Sequence, residues 1–275
     1  MMVIQSDSIT PNIIEPNPIE TNTIELNYKG ALDWQYMLDF YQRRAISHLE
    51  RIDNLQYTRH AQIDKMPIWF RLSKNHPQSL TLEYQLSSDS QLNPLINAVR
   101  RMFDLDSDLE AIQKHLHALS PTLIKRAGIR IPGVWSTWEA GVRAVLGQQI
   151  SVTAAINHLN HFTKQLTNHQ HFPSPQQVAT ADLSFLKMPQ RRKETLNRLA
   201  EFIIESPQAH PSQWLAIKGI GPWTIQYAQL RGLSEKNCFL SNDLVVKKAL
   251  AKFPHLTADN VSPYGSYATF HLWNQ

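Results

Sequence analysis

The chain has one cysteine, Cys238, in 275 residues. That excludes an internal disulfide and any all-cysteine zinc or iron–sulfur site. A reducing compartment is expected, and with it a cytoplasmic location. Glycine is scarce, at 9 residues. No apolar run approaches the roughly 18 residues that span a bilayer, so no membrane partner is expected. The N-terminus, MMVIQSDSITPNIIEPNPIETN, has no basic start followed by a continuous apolar stretch. No secretory signal is expected there, and its Pro, Asn and Ser read as a loose tail over residues 1–22. Neither sign of charge dominates: 27 Lys and Arg stand against 23 Asp and Glu, a net +4. The excess permits a polyanionic partner without demanding one. At 42% hydrophobic and 18% charged residues, a packed core is expected.

From Thr23 onward the pattern changes. Ile24, Leu26 and Tyr28 alternate with polar residues. So do residues 57–63, then Ile68, Phe70 and Leu72, then Leu80, Leu82, Tyr84 and Leu86. Period-two alternation predicts half-buried strands, and KNHPQS reads as the hairpin between the last two. Asp33 precedes Trp34, Met37, Leu38 and Tyr41 at helical spacing, as an N-cap would. A helix over about 94–103 carries Pro94 near its first turn. Residues 23–103 therefore read as strand, helix, three antiparallel strands, helix: a small α+β domain with one sheet face covered. Beyond about residue 104 the alternation stops. Helical spacing recurs after Ser136 and Glu139, a possible capping box, and in 152–166, 196–204, 224–231, 244–252 and 266–273. Residues 104–275 are expected to form an all-helical domain.

The scarce glycines cluster. GIGPWTIQYA, residues 219–228, sets Gly219 and Gly221 one residue apart before a helix-like run, and Gly232 follows. Trp214, Leu215 and Ile217 read as the end of an incoming helix. A turn that passes close to another backbone needs residues without Cβ. Free N–H groups at the start of the outgoing helix are a seat for one phosphate. An ordinary helical corner without a ligand explains the same spacing equally well. Lys218, Arg231, Lys247 and Lys248 flank the stretch and favour the phosphate. Further on, SNDLVVKKAL places Asp243 at a helix start, where Ser241, Asn242 or Asp243 is expected to cap. A carboxylate there stays ionised, because the helix dipole and free N–H groups favour the anion. An anion facing a ligand suits a reaction that develops positive charge.

LAIKGIGPWTIQYAQLRG, CFLSNDLVVKKAL and SPYGSYATFHLW together resemble the helix–hairpin–helix DNA glycosylases, most of all the bacterial 3-methyladenine-DNA glycosylase II branch. GIRIPGVWSTWEAGVRAVLGQQISVTAA (128–155) resembles that branch's central helices, and DWQYMLDFYQRRAI and VRRMFDLD its N-terminal region. The resemblance covers roughly residues 24–275. It implies a TATA-binding-protein-like sheet domain ahead of a helical glycosylase core. The implied reaction is hydrolysis of the N-glycosidic bond of alkylated bases, 3-methyladenine and 7-methylguanine among them, in double-stranded DNA. By the same resemblance Asp243 is the catalytic aspartate, and Trp223, Tyr227 and Tyr264 line the base pocket. Gln149 is the duplex wedge, where the branch has an apolar residue, and Tyr264 stands where it has tryptophan. Asn242 stands where close relatives often carry a second acid. Gly219, Gly221, Lys218 and Thr224 meet DNA phosphate. The family binds a monovalent cation through hairpin carbonyls, here those of Leu215, Ile217 and Gly219, while the chemistry itself needs no cofactor. Relatives that also cleave the strand carry a lysine where this chain has Trp223, so no lyase activity is implied. A monomer is expected.

Other functions stay open on the residues alone. A non-enzymatic hairpin that anchors phosphate needs neither Asp243 nor the aromatic set. A glycosylase for oxidised bases is disfavoured by Trp223 at the lysine position. Arg100 with Arg101, and Arg191 with Arg192 and Lys193, read as solvated helix faces. His158 and His161 lie at i and i+3 but lack an acid or cysteine to complete a metal site.

Overall fold

The computed structural model describes residues 21–275. The expected tail lies outside them except for Thr21 and Asn22, and Asn22 already opens the first strand. Five strands, β1 (Asn22–Asn27), β2 (Glu50–Asp53), β3 (Gln56–Ile63), β4 (Met66–His76) and β5 (Ser79–Leu86), form one antiparallel sheet in the order β1-β5-β4-β3-β2. Register follows the alternation: Leu82 stands opposite Ile24 on one side and Leu72 on the other, and Tyr84 opposite Phe70. A one-residue slip would turn that apolar set to the wrong face. The sequence pattern predicts three strands after the first helix, and the structure has four. β2 is illegible in the pattern because Glu50, Arg51 and Asp53 break any apolar alternation.

Helix α1 (Trp34–Gln42) begins where Asp33 Oδ1 accepts the Tyr36 N–H at 2.9 Å. Six of its nine residues are buried. Met37, Leu38 and Tyr41 pack into the core beneath the sheet with Leu95 and Val99 of α2 (Leu92–Met102). Tyr36 and Phe40, one turn apart, join a different core instead. α1 thus lies between the sheet and the helical part of the molecule, apolar on both sides.

After β5 the described residues contain no further strand. The architecture is α+β, with the antiparallel sheet first and a helical body behind it. The body comprises α3 (Leu109–Leu119), α4 (Thr137–Gly147), α5 (Val152–Thr167), α6 (Pro175–Ala179), α7 (Gln190–Glu205), α8 (Pro222–Ala228), α9 (Leu244–Leu250), α10 (Ala258–Val261) and α11 (Gly265–Trp273). The sequence pattern does not reveal α3, α6 and α10. The element entering the glycine stretch is a 3-10 turn, Pro211–Ala216, rather than the expected helix. Among the described residues no helix is long and apolar enough to cross a membrane.

Sheet and body are clamped by polar groups. The Tyr41 hydroxyl lies 2.9 Å from the Met102 carbonyl and 3.0 Å from that of Gly133. Arg101 donates to the carbonyls of Val134 at 2.9 Å and Trp135 at 2.7 Å. At the centre is a closed ring of four charges. Arg59 of β3 pairs with Glu50 of β2 at 2.9 Å and with Glu139 of α4 at 2.5 Å. Arg143 of α4 pairs with the same two acids at 2.8 Å each. All four side chains are at most 5% exposed. Tyr57 donates to Glu50 at 2.6 Å. Burial alone would push the Glu50 carboxyl up, but Arg59 and Arg143 outweigh it and hold it below its ordinary value. This ring corrects the expected capping box. Ser136 does cap α4, accepting the Glu139 N–H at 3.1 Å, but the Glu139 carboxylate is spent in the ring.

Candidate active site

The glycine stretch is fixed from below. Trp214 is fully buried, and Ile217 and Ile220 follow it into the core of the body. Gly219 adopts φ +99°, and a Cβ there would collide with the Thr195 hydroxyl, so only glycine fits. That hydroxyl lies 3.2 Å from the Lys218 carbonyl, tying the turn to α7. Gly221 differs: its backbone is extended, and a Cβ would meet nothing within 4 Å. The expected close approach of a second backbone is met at neither glycine: Gly219 is crowded by the Thr195 side chain, and Gly221 by nothing within the protein.

Gly221 lies at the edge of a cleft of about 1590 Å³, and Asp243 lines the same cleft. The carboxylate caps α9: Oδ1 accepts the N–H groups of Val245 at 2.9 Å and Val246 at 3.2 Å. It is also bracketed by two indoles. Trp273 donates to Oδ1 at 3.1 Å and Trp223 to Oδ2 at 3.3 Å. Capping and facing the cleft are alternatives on sequence; the one side chain does both.

The indoles begin an aromatic cup. The Trp223 ring lies 5.3 Å from that of Tyr227, tilted 30°. On the other side Trp273 stacks on Phe40 of α1, 6.4 Å apart and 23° from parallel. Arg231 closes the circuit, 4.8 Å from the Phe40 centroid and 5.7 Å from that of Tyr227. Trp223, Tyr227, Phe40 and Trp273 all line the cleft. Sequence reasoning misses Phe40 and Trp273. The available signal for Phe40 is its place one turn after Tyr36, off the stripe of Met37, Leu38 and Tyr41; no local pattern marks Trp273, which is partly buried at the end of an otherwise buried helix.

Tyr264 is a correction. It does not line this cleft; its ring meets His115 at 5.3 Å and Tyr267 at 6.4 Å. It precedes α11, whereas the cleft lies at the other end of that helix, nine residues and about 13 Å away. Thr224 lines the cleft with its side chain largely buried, and its hydroxyl accepts the Gln148 amide at 3.2 Å. Gln149 is exposed on the cleft rim with φ +59°, between α4 and α5. Ile150 and Val152 beside it are exposed, as are Leu244 and Val245 after Asp243, and all four line the cleft. Lys218 is exposed on the same rim.

Of the proposed cation donors, the Ile217 carbonyl accepts the Ile220 N–H at 3.0 Å and the Gly219 carbonyl accepts the Gln148 amide at 3.2 Å. Each of these carbonyl oxygens keeps a second lone pair. The described residues hold no cluster of three or more His, Cys, Asp or Glu suited to a metal, and His158 and His161 form no such site. Burial, then Arg192, pushes His158 below its ordinary value.

The basic pairs also resolve. Arg191 is exposed, as expected, and lines the cleft; Arg192 lines it too but is buried rather than solvated, and Arg43 and Arg44 join them. Lys193 reaches back to the Ser184 carbonyl at 3.4 Å. Arg100 pairs with Asp106 at 3.0 Å, and Arg101 belongs to the clamp between sheet and body. Neither of the last two meets the cleft.

A family model for the AlkA N-terminal domain matches residues 23–136. The DNA-3-methyladenine glycosylase 2 of Escherichia coli is 29% identical over 282 residues, spanning 90% of this chain and 95% of that protein. A probable bifunctional transcriptional activator/DNA repair enzyme AlkA of Mycobacterium tuberculosis is 34% identical over 203 residues, 63% of this chain and 41% of that longer protein. Among solved structures, a 3-methyladenine DNA-glycosylase from Archaeoglobus fulgidus superposes with a TM-score of 0.74 at 17% identity, covering 91% of this chain and 97% of that one. An 8-oxoguanine glycosylase/lyase from Clostridium acetobutylicum, in complex with double-stranded DNA, gives 0.63 at 14% identity over 82% of this chain and 86% of that one. At those identities the two structures speak to the fold alone.

Proposed function

We propose that the chain is a member of the helix–hairpin–helix DNA glycosylase superfamily and that it excises alkylated bases from double-stranded DNA by hydrolysing the N-glycosidic bond. The observation that carries this reading is the Asp243 carboxylate, held between two indoles at the mouth of an aromatic cup in a cleft lined by arginines. A plain DNA anchor leaves that arrangement without a purpose.

A base inside a duplex is out of reach, so it is everted into the cup; base flipping is an established step for glycosylases. Unstacking costs a few kcal/mol, less at a damaged pair. Alkylation at purine N3 or N7 makes the base cationic and weakens its bond to the sugar. The faces of Trp223, Tyr227 and Trp273 attract such a cation by roughly 0.5–2 kcal/mol each. As the bond breaks the sugar becomes oxocarbenium-like, and the Asp243 carboxylate beside it stabilises the developing charge. Its two indole N–H donors and two backbone N–H donors fix its position before the reaction, so little reorganisation is left to do. On this reading the same carboxylate also orients the attacking water.

The hairpin around Gly219 and Gly221, with Lys218, docks one phosphate of the DNA backbone. A monovalent cation on the carbonyls of Leu215, Ile217 and Gly219 would lend this turn positive charge. Gln149, with Ile150 beside it, fills the space the everted nucleotide leaves. Trp223 stands where strand cleavage would need a lysine, so the product is an abasic strand left uncut. The test is to identify the free bases and the strands after incubation with methylated duplex DNA. Release of 3-methyladenine with intact strands is expected. DNA binding without any base release would contradict the reading.

A further inference from the structure

On the glycosylase reading the cup holds the everted base with Asp243 toward the sugar. The far side of the cup is not apolar. Arg44 Cζ stands 3.8 Å from the Phe40 centroid, and Arg44 lines the cleft. Its neighbour Arg231 spends its donors on the Pro132 carbonyl and, at 3.2 Å, on the Tyr227 hydroxyl. Arg44 has five N–H donors, and its side chain makes one long bond, Nη1 to the Phe40 carbonyl at 3.4 Å. Among the described residues no carboxylate pairs with it. Its backbone is held nonetheless: Arg143 of the buried ring donates to the Arg44 carbonyl at 2.8 Å. Burial and the nearby Arg231 both work against its charge.

An under-bonded, half-buried guanidinium at the end of a pocket favours an acceptor and opposes a donor, because a desolvated donor left without a partner is costly. Everted purines differ at the edge far from the sugar: guanine-type bases carry a carbonyl oxygen at position 6, adenine-type bases an amine. We propose that Arg44 is a specificity-determining residue whose guanidinium donates to a carbonyl oxygen at the purine 6-position, favouring guanine-type over adenine-type alkylated bases.

The probes are 3-methylguanine and 3-methyladenine in the same methylated duplex. Both carry the methyl group at the same position and are cationic; they differ in the oxygen or amine at position 6 and in the N1 proton and 2-amino group that guanine adds, which is why the change in ratio between wild type and variants, and not the ratio itself, is read. Single-turnover release of each is measured for wild type, Arg44→Met, which keeps length without donors, and Arg44→Lys, which keeps charge without the fork. The 3-methylguanine to 3-methyladenine ratio is expected to fall about tenfold in Arg44→Met, the worth of one charge-assisted hydrogen bond, and to an intermediate value in Arg44→Lys. A ratio within about twofold of wild type in both variants, whatever the absolute rates, overturns the assignment and leaves the glycosylase reading intact. No release of either base by wild type removes that reading, and the assignment with it.

Discussion

Two sets of arginines in this chain do opposite work. Arg59 and Arg143 are enclosed by Glu50 and Glu139 in a ring that joins the sheet to α4. Arg43, Arg44, Arg191 and Arg192 line the cleft, and no carboxylate pairs with them among the described residues. A buried charge must be matched, because desolvation costs several kcal/mol per ion. Arg43 and Arg191, exposed on the cleft rim, can remain unmatched because water solvates them until a polyanion displaces it, whereas Arg44 and Arg192 are more enclosed. The ring also steadies the cleft, through the hydrogen bond from Arg143 to the Arg44 carbonyl. What the contrast teaches is that a lack of partners marks the arginines available to a ligand.

The sharpest way to break the contrast is to remove one member of the ring. Arg59→Met leaves Glu50 and Glu139 short of a counter-charge and is expected to lower folding stability by about 3–5 kcal/mol, read by denaturant unfolding. A drop of less than about 1 kcal/mol would mean the ring is not closed in solution. The matching change in the cleft, Arg43→Ala with Arg191→Ala, removes two exposed cations. Stability should shift by about 0.5 kcal/mol or less. The slope of log affinity for duplex DNA against log salt should become shallower by about 0.9 for each phosphate that is no longer neutralised. An unchanged slope would place the DNA elsewhere.

The smallest effect expected is on pH. Burial, reinforced by Arg231, pushes Arg44 down to about 10, while Tyr227 and Tyr36 act the other way and Arg43 adds to the fall. In the ring, burial works against Arg143 as well, but Glu139 and Glu50 outweigh it and push it above its ordinary value. Arg44 therefore loses its proton well before the ring does. Its folded value lies below its unfolded one, so discharging it favours the folded state as pH rises through about 10. Preference for 3-methylguanine should thus decline between about pH 9 and 10.5 without loss of fold, checked by base release and circular dichroism together. A flat preference over that window would uncouple it from Arg44.

Much of the scaffold is legible in the sequence because short-range rules govern it. Asp33 and Ser136 cap the helices their positions foretell, and the alternation of β3, β4 and β5 survives in the register. β2 is not legible, because the charges that hide it are satisfied by α4, some ninety residues further along the chain. For the same reason Arg101 reads as surface and is a clamp. At the site, Asp243, Trp223 and Tyr227 come from one contiguous region of sequence, and the fold brings them together. Phe40 and Trp273 reach the cup from the two ends of the chain, and no local pattern relates them. Tyr264 fails for a geometric reason: the resemblance singles out the start of α11, while the helix presents its last residue to the cleft.

The central claim is that the Asp243 charge stabilises a sugar becoming cationic. It is tested most directly by Asp243→Asn, which retains a cap for α9 and removes the charge. Release of 3-methyladenine from methylated duplex DNA should fall by about 10²–10³, while affinity for the same DNA stays within about threefold. Release at the wild-type rate by a variant that still binds DNA would contradict the account.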